Sequence, residues 1–254
     1  MKESKTDFDL IKPKLLTEDT GIKAWFTLKN AEWGDFNNEI SGLNLGFNTP
    51  ESREIVAHNR LTLLSSLGLN TEWVAYADQV HSNRVRLITQ GGTYPETDGL
   101  VTQIPGLTLC IQVADCAAVL IWDPQNKIVA ALHAGWRGAV GDIVPKGIDM
   151  MINRGADLQK IKVFVSPCLS LRNFEVGEEV ASQFPKKFVD YKSYDKPHVN
   201  LKEFLRYQMV EAGIDRSQIE VREECTVDEA DSLYSYRREG DKSGRMMALI
   251  QIVD

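Results

Sequence analysis

The chain has 254 residues, enough to bury a substantial core, and no Ser/Gly-rich or Pro-rich linker divides it, so we expect a single domain over residues 1–254. With 29 Lys and Arg against 36 Asp and Glu, the net charge of -7 argues against a general nucleic-acid-binding protein. No apolar run suits a signal peptide or a membrane span, so we expect a cytoplasmic protein whose four cysteines stay reduced.

The predicted elements mix strands and helices, after a polar segment over residues 1–20 that we expect to be a loosely ordered extension. In chain order the strands are predicted over residues 22–28, 72–77, 83–89, 107–113, 117–122, 127–132, 161–165, 219–226 and 248–253. The helices are predicted over residues 51–67, 139–153 and 199–212, with a further helix ending at Phe184. Because strands and helices do not alternate strictly, we expect mixed sheets in a layered α/β arrangement rather than a doubly wound parallel sheet.

Residues 30–50 form a long segment rich in Gly and Asn, which includes Asn44. A compact domain rarely keeps so long an irregular segment without a use, so ligand binding and a plain surface connection are both open interpretations. Arg60 projects from the helix that follows. Pattern alone describes this arginine as a solvated surface residue.

Three side chains that can bind metal lie at predicted strand ends: His81, Cys116 and His133. Two imidazoles and one thiolate suit zinc, and three protein ligands leave a fourth tetrahedral position for water or substrate. A competing hypothesis has no metal: Cys116 is a nucleophile, His133 is its base, and His81 or Asp98 orients the base. Copper oxidase chemistry is disfavoured because the chain has only four histidines, too few for a multicopper centre.

Acidic side chains near these strand ends are candidates for proton transfer. Asp98 comes just before a short strand, where it either caps a turn or contacts a ligand or substrate. Asp115 precedes Cys116 at a tight corner. Either carboxyl group could move protons during catalysis.

Arginines near the same loops are candidates for an anion site. Guanidinium groups offer fixed bidentate donors to phosphate, and the glycines of residues 133–138 lead into a predicted helix N-terminus that favours anions. The candidates are Arg60, Arg137, Arg237 and Arg238. Zinc next to a phosphate clamp implies either phosphorolysis or metal-assisted hydrolysis.

Seven short segments, in order, are similar to those of the YfiH/laccase-domain family, long labelled polyphenol oxidase or laccase and now regarded as zinc-containing purine nucleoside phosphorylases. They are residues 78–82 (DQVHS), 97–101 (TDGLV), 114–116 (ADC), 133–138 (HAGWRG), 174–177 (FEVG), 235–238 (SYRR) and 244–246 (GRM). The likeness runs from about Ile22 to the end of the chain. One segment departs from it: residues 166–170 (SPCLS) lack both glycines of the family's Gly-Pro-Cys/Ala-Ile-Gly.

The resemblance implies a four-layer α/β/β/α sandwich with zinc on His81, Cys116 and His133, and it implies that Asn44 and Arg60 lie near the substrate. It also implies phosphorolysis of adenosine, inosine, guanosine and methylthioadenosine, together with deamination of adenosine. The expected partners are thus purine nucleosides and phosphate, with no nucleic acid and no membrane, for a monomer or homodimer. The alternative within the family is a hydrolase that removes mis-incorporated amino acids from cell-wall precursors.

Overall fold

The computed structural model describes residues 8–34 and 38–253, and its core is built from two six-stranded sheets. The strands are β1 (Leu10–Ile11), β2 (Ile22–Thr27), β3 (Val74–Ala77), β4 (Val85–Leu87), β5 (Gly92–Tyr94), β6 (Gly99–Thr102), β7 (Thr108–Val113), β8 (Ala117–Asp123), β9 (Ile128–Ala134), β10 (Lys162–Val165), β11 (Val189–Asp190), β12 (His198–Val199), β13 (Ile219–Val221) and β14 (Met246–Ile252). The α-helices are α1 (Arg53–Ser66), α2 (Trp136–Val140), α3 (Ile143–Ile152), α4 (Glu178–Ala181), α5 (Leu201–Glu211) and α6 (Tyr236–Glu239).

Both large sheets are mixed, as the sequence predicts. The first has the strand order β1-β2-β14-β7-β3-β5, with parallel pairing only where β3 meets β7 and β5. The second has the order β13-β10-β8-β9-β6-β4, with parallel pairs at its two edges. Strands β11 and β12 form a separate two-stranded sheet.

Side-chain alternation on the central strands explains the layers. Along β8, Leu120 and Trp122 enter the core shared with the first sheet, whereas Val119 and Ile121 face the core that holds α3 and α5. Along β14, alternate residues likewise divide between the shared core and the core under α1. Because both faces of these central strands are covered, β8, β9 and β14 are buried at every residue. The predicted four-layer α/β/β/α sandwich is confirmed.

Several element boundaries differ from the prediction. The helix predicted over residues 139–153 is two helices, α2 and α3, because Asp142 takes a left-handed φ of 63° and its carboxylate accepts a hydrogen bond from Gln208. The strand predicted over residues 219–226 ends at Val221, where its pairing with β10 stops.

Residues 8–20 depart from the predicted loose extension, since Phe8 is buried and β1 pairs with β2. The rest of that extension, residues 1–7, lies outside the described residues. Over residues 8–34 and 38–253, no helix combines the length and the apolar character needed to cross a membrane.

Two connections between the sheets lie at one end of the sandwich. Residues 114–116 carry the chain from β7 in the first sheet to β8 in the second, and residues 78–84 carry it from β3 to β4. His133 lies at the same end, near the end of β9 and directly opposite Ala118 of β8. The fold therefore brings two crossover loops and one buried strand end together.

Candidate active site

The side chains of His81, Cys116 and His133 meet where these crossovers lie. Their ligand atoms all lie within 4.8 Å of one another. The two imidazole rings pack edge to face, with centroids 4.8 Å apart and planes at 75°. Cys116 is half-buried, His133 is buried and His81 is exposed, so the cluster opens to one side only.

The buried carboxylate of Asp98 holds both histidines. It accepts hydrogen bonds from the backbone N–H of His81 at 3.0 Å and of Ser82 at 2.7 Å, which fixes His81 in a left-handed φ of 59°. Its Oδ1 also lies 2.8 Å from Nδ1 of His133. An Nδ1–H that donates to Asp98 leaves Nε2 of His133 as the atom available to a ligand.

Asp98 therefore acts through its neighbours and does not face a substrate. Burial alone would raise the pKa of Asp98, but hydrogen bonds from His133 and Ser82 outweigh it and hold the pKa below the usual carboxyl value. The carboxylate is thus ionised at neutral pH and makes the His133 imidazole a stronger donor to a cation.

Cys116 and His133 form a strongly polar pair. Burial would raise the pKa of Cys116, but the attraction of His133 and hydrogen bonds with His133 and His81 lower it to about 6. Conversely, Cys116 and Asp98 overcome the effect of burial and raise the pKa of His133 to about 9. The thiolate, which is the form that binds metal or attacks carbon, is therefore favoured at neutral pH.

The donor set fits a metal ion such as zinc. Zinc lies about 2.3 Å from sulfur and about 2.0–2.1 Å from nitrogen, so ligand atoms that share one tetrahedral ion lie roughly 3.5 Å apart. The observed limit of 4.8 Å is within small side-chain rotations of that spacing. A β-carbon on Gly135 would approach Sγ of Cys116 to 2.8 Å and Cδ2 of His81 to 3.3 Å. Only glycine at this position leaves space for the side chains of Cys116 and His81 to move closer together around an ion.

Asp115 stabilises the corner that presents Cys116. It adopts a left-handed φ of 82°, and its carboxylate accepts hydrogen bonds from Oγ1 of Thr226 and from the backbone N–H of Arg237, both at 2.5 Å. Its backbone oxygen accepts the N–H of Leu169 at 3.1 Å. Asp115 is also among the residues that line the cavity beside the cluster.

A cavity of about 1160 Å³ opens over the three side chains. The lining residues include two groups whose members contact one another, the α1 wall and the α6 wall. The α1 wall consists of Phe47, Arg53, Arg60, Tyr76 and Gln112. The α6 wall consists of Asp115, Tyr236, Arg237 and Arg245. Cavities of several hundred Å³ with a few convergent polar groups are typical of small-molecule sites.

The predicted arginines are divided between cavity and scaffold. Arg60 lines the cavity in the α1 wall. Arg237, a candidate for the anion site, lies in the α6 wall, where both terminal nitrogens of its guanidinium donate to the backbone oxygen of Glu175 at 3.1 Å. Arg137 instead lies outside the lining residues and stacks on Trp136, with its guanidinium carbon 4.3 Å from the ring centroid. Arg238 also lies outside, since its guanidinium donates to backbone oxygens of the segment that precedes α6.

Asn44 is fully buried and does not line the cavity. Its Oδ1 accepts hydrogen bonds from the backbone N–H of Gly46 and of Arg245, both at 3.0 Å, and its Nδ2 donates to Thr49 at 2.9 Å. The side chain therefore joins the loop before α1 to the strand that carries Arg245. It supports both walls from within the protein, and its burial separates it from the cavity.

The loop that departs from the family pattern is accommodated without strain. Neither Ser166 nor Ser170 takes a positive φ, so glycine is not required at either position. Ser166 is buried, and its Oγ accepts the backbone N–H of Ala118 at 2.9 Å. The serine thereby ties the loop to the start of β8, close to Cys116.

Sequence reasoning missed most of the α1 wall. Phe47 and Gln112 lie in an irregular loop and in a strand, where their residue types have many other uses, and no sequence signal marks them. In the α6 wall, the sequence marks Arg245 only as part of the motif of residues 244–246. Its guanidinium lies close enough to Asp115 and Cys116 for their negative charges to raise its pKa, but burial outweighs them and lowers the pKa overall.

The comparisons with known proteins cover nearly the whole chain. Residues 23–253 match the family described as multi-copper polyphenol oxidoreductase laccase. A protein named purine nucleoside phosphorylase from Deinococcus radiodurans is 36% identical over 213 residues, which is 83% of this chain and 82% of that protein. A protein named adenosine deaminase RL5, from an unknown prokaryotic organism, is 31% identical over 242 residues, with 89% and 92% covered.

Solved structures share the fold. The Bacillus licheniformis hypothetical protein YfiH superimposes with a TM-score of 0.89 at 28% identity, over 97% of each chain. YlmD from Geobacillus stearothermophilus gives a TM-score of 0.86 at 27% identity, over 92% of this chain and 93% of that one. The layered architecture is therefore that of the YfiH-type proteins.

Proposed function

The chain belongs to the YfiH-type family described as multi-copper polyphenol oxidoreductase laccase, and from this membership we propose that it is a zinc-dependent purine nucleoside phosphorylase that also deaminates adenosine. The proposed substrates are adenosine, inosine, guanosine and methylthioadenosine, with phosphate as the second reactant. Relatives named purine nucleoside phosphorylase and adenosine deaminase support a role in purine nucleoside processing.

One observation carries the proposal: three potential metal ligands converge where a large cavity opens over them. When bound, zinc would supply Lewis-acid chemistry, polarising a substrate group or activating water. His81, Cys116 and His133 would hold it. The donor set favours zinc over a copper cluster, because the other two histidines of the chain are elsewhere: His58 stacks near Trp33, and His198 binds a backbone oxygen.

The surrounding residues have separate tasks in this proposal. Asp98 orients His133 and the backbone of His81, and so maintains the geometry of the centre. Asp115, which is among the residues that line the cavity, is proposed to exchange a proton with the substrate.

In this proposal, phosphate binds to Arg237 and Arg245 of the α6 wall. Arg245 donates from Nη1 to the backbone oxygens of Ser243 and Gly244, which fixes the guanidinium while leaving its other N–H groups for an anion. A fixed guanidinium next to the thiolate would compensate negative charge that accumulates during phosphorolysis. Arg60 is proposed to contact the nucleoside from the α1 wall.

The lowered pKa of Cys116 favours a second candidate, a hydrolase without metal in which Cys116 attacks and His133 transfers the proton. This candidate uses the same pair of side chains, so residue positions do not separate it from the first. Metal content does. A nucleophilic hydrolase would work in protein that contains no metal.

The test is an incubation of purified protein with adenosine, with and without phosphate, together with metal analysis of protein purified without added metal. We expect about one zinc per chain, ribose 1-phosphate only when phosphate is present, and inosine in both samples. A protein free of metal but active would support the Cys116 nucleophile. Absence of adenosine turnover, with or without phosphate, would contradict the proposal and favour the editing of cell-wall precursors.

A further inference from the structure

The α1 wall contains two arginines that share one aromatic ring. The guanidinium carbon of Arg53 lies 4.8 Å from the ring centroid of Phe47, and that of Arg60 lies 4.1 Å from the same centroid. Within residues 8–34 and 38–253, no carboxylate forms an ion pair with either arginine. Two positive charges thus face the cavity without an acidic partner from this part of the chain.

Arg60 is fixed in place and partly removed from water. Its Nε donates to the backbone oxygen of Leu45 at 2.8 Å, and its Nη2 donates to Oε1 of Gln112 at 2.9 Å. The ring of Tyr76 lies 5.0 Å from its guanidinium carbon. Burial lowers the pKa of Arg60, which shows that its charge is poorly solvated. A desolvated cation without an acidic partner is costly unless an anionic ligand compensates it.

Arg60 uses Nε and Nη2 in these hydrogen bonds and also contacts Tyr76, so its guanidinium is held in place at the edge of the cavity. Arg53 is exposed at the first position of α1, and its guanidinium lies beside the Phe47 ring. The pair therefore combines a half-buried, fixed guanidinium with an exposed one, both beside the same ring in the cavity lining. Paired guanidinium groups bind phosphate oxygens well because each presents several N–H donors in a fixed plane.

The α1 wall and the candidate metal centre line the same cavity and are joined through β7. Gln112, which binds Arg60, precedes Cys116 by four residues, so the two α-carbons are at most about 14 Å apart. A purine with its ribose is shorter than this upper limit, so a substituent on the 5′ carbon of the sugar can reach the wall while the base lies toward the centre. The wall is therefore suited to an anionic group carried by the nucleoside, in addition to the phosphate proposed at the α6 wall.

We propose that Arg53 and Arg60 form a second anion subsite, which binds the phosphate of a purine nucleoside 5′-monophosphate. The base and ribose lie toward Cys116, an orientation that rests on the proposed function. The two walls then divide the anions of the cavity: free phosphate at Arg237 and Arg245, and the phosphate of the nucleotide at Arg53 and Arg60.

The experiment compares the Kd of adenosine 5′-monophosphate with that of adenosine by titration calorimetry on the zinc-loaded protein. We expect the nucleotide to bind at least about tenfold more tightly than the nucleoside, since a charge-assisted contact contributes about that factor. Arg53→Ala should reduce the ratio at least about threefold, because Arg60 alone remains, and Arg53→Lys should retain more of it. Arg53 is exposed, and loss of a positive charge at a helix N-terminus does not weaken the helix.

Arg216→Ala is the matched control, because it removes an equally exposed arginine from a segment that does not line the cavity. This variant should keep the wild-type ratio. Equal affinity of nucleotide and nucleoside in the wild type, or a ratio that Arg53→Ala leaves unchanged, would overturn the subsite. A raised KM for inorganic phosphate in Arg53→Ala, with the ratio unchanged, would assign the arginines to free phosphate and also overturn it.

The experiment distinguishes failure of the anion subsite from failure of the proposed phosphorylase function. Adenosine phosphorolysis without a preference for the nucleotide would remove the subsite alone. A preference that depends on Arg53, in a protein that does not turn over nucleosides, would keep the subsite and remove the phosphorylase.

Discussion

The candidate metal centre and the α1 wall line the same cavity but are built in opposite ways. Cys116 and His133 lie at the ends of strands buried on both faces, and one carboxylate, Asp98, holds both histidines of the centre. The α1 wall is assembled from a loop, a helix and a strand, through contacts of Arg60 with Phe47 and Gln112.

This difference separates chemistry from recognition. The centre needs ligand atoms placed to a few tenths of an ångström, which only a packed core and a shared carboxylate provide. The wall needs only charge and shape at the right distance, so side chains on less constrained elements suffice. Changes at the centre should therefore alter metal content and kcat, whereas changes at the wall should alter KM.

The largest effect is expected for Cys116→Ala. Loss of the thiolate removes one of three ligands, so zinc content should fall to background and turnover should fall at least about 1000-fold. The melting temperature of the variant should match that of chelator-treated wild type, because the side chain is only half-buried at the edge of the shared core and its loss leaves little space unfilled. Elemental analysis, turnover and thermal unfolding measure the three quantities.

The matched control is Cys110→Ala. Cys110 is a buried thiol in β7 that packs under α1, so this variant should lose some stability but retain zinc. If Cys116→Ala failed to fold while Cys110→Ala folded, the centre would be structural rather than catalytic. Normal zinc content in Cys116→Ala would exclude Cys116 as a ligand.

The candidate metal centre can be predicted from the sequence because cysteine and histidine have few roles at such positions. Cysteine and histidine at the ends of apolar runs have few uses, and the three ligands predicted there come together in the structure. Asp98 also precedes a strand as expected, but its role in holding two histidines depends on tertiary contacts. Asn44 shows the opposite case: its amide is used entirely within the protein.

The α1 wall, the division of side chains between layers and the break between α2 and α3 depend on tertiary packing, which sequence patterns do not reveal. Phe47 and Gln112 belong to types common in cores and strands, so only the fold reveals their contact with Arg60. Apolar runs such as residues 117–122 predict buried strands, but not which residues face which neighbouring layer. The break between α2 and α3 follows from Asp142 and its contact with Gln208, which lies 66 residues away.

A smaller effect is expected for Asp98→Asn, which keeps the shape of the side chain and removes its charge. The amide no longer strengthens His133 as a donor, and loss of such an outer partner weakens metal binding by about 10–100-fold. Competition with a chromogenic chelator measures the affinity. Asp123→Asn is the control, because Asp123 is also fully buried and accepts backbone N–H groups, yet lies outside the cavity. An equal loss of zinc affinity in both variants would mean that Asp98 acts only on stability.

Gly135→Ala tests how tightly the centre is packed. The added β-carbon would lie 2.8 Å from Sγ of Cys116, so the thiolate must move. Overpacking of this kind costs about 1–3 kcal/mol, and we expect roughly a tenfold loss of zinc affinity. The same chelator competition measures it. Unchanged zinc affinity in a normally folded variant would show that the centre tolerates displacement and that its precision has been overestimated.

The smallest effect is expected at the α1 wall. Gln112→Leu removes the oxygen that accepts a hydrogen bond from Arg60 at 2.9 Å, so the guanidinium loses its fixed direction while its charge remains. One such bond contributes about 0.5–1.5 kcal/mol, which corresponds to a rise in KM for adenosine of roughly 3–10-fold with kcat within twofold of wild type. Gln103→Leu is the control, since Gln103 is exposed and lies outside the cavity. A fall in kcat with constant KM would mean that Gln112 acts on the metal centre through β7. The wall and the centre would then be one mechanical unit, and the division between recognition and chemistry would be wrong.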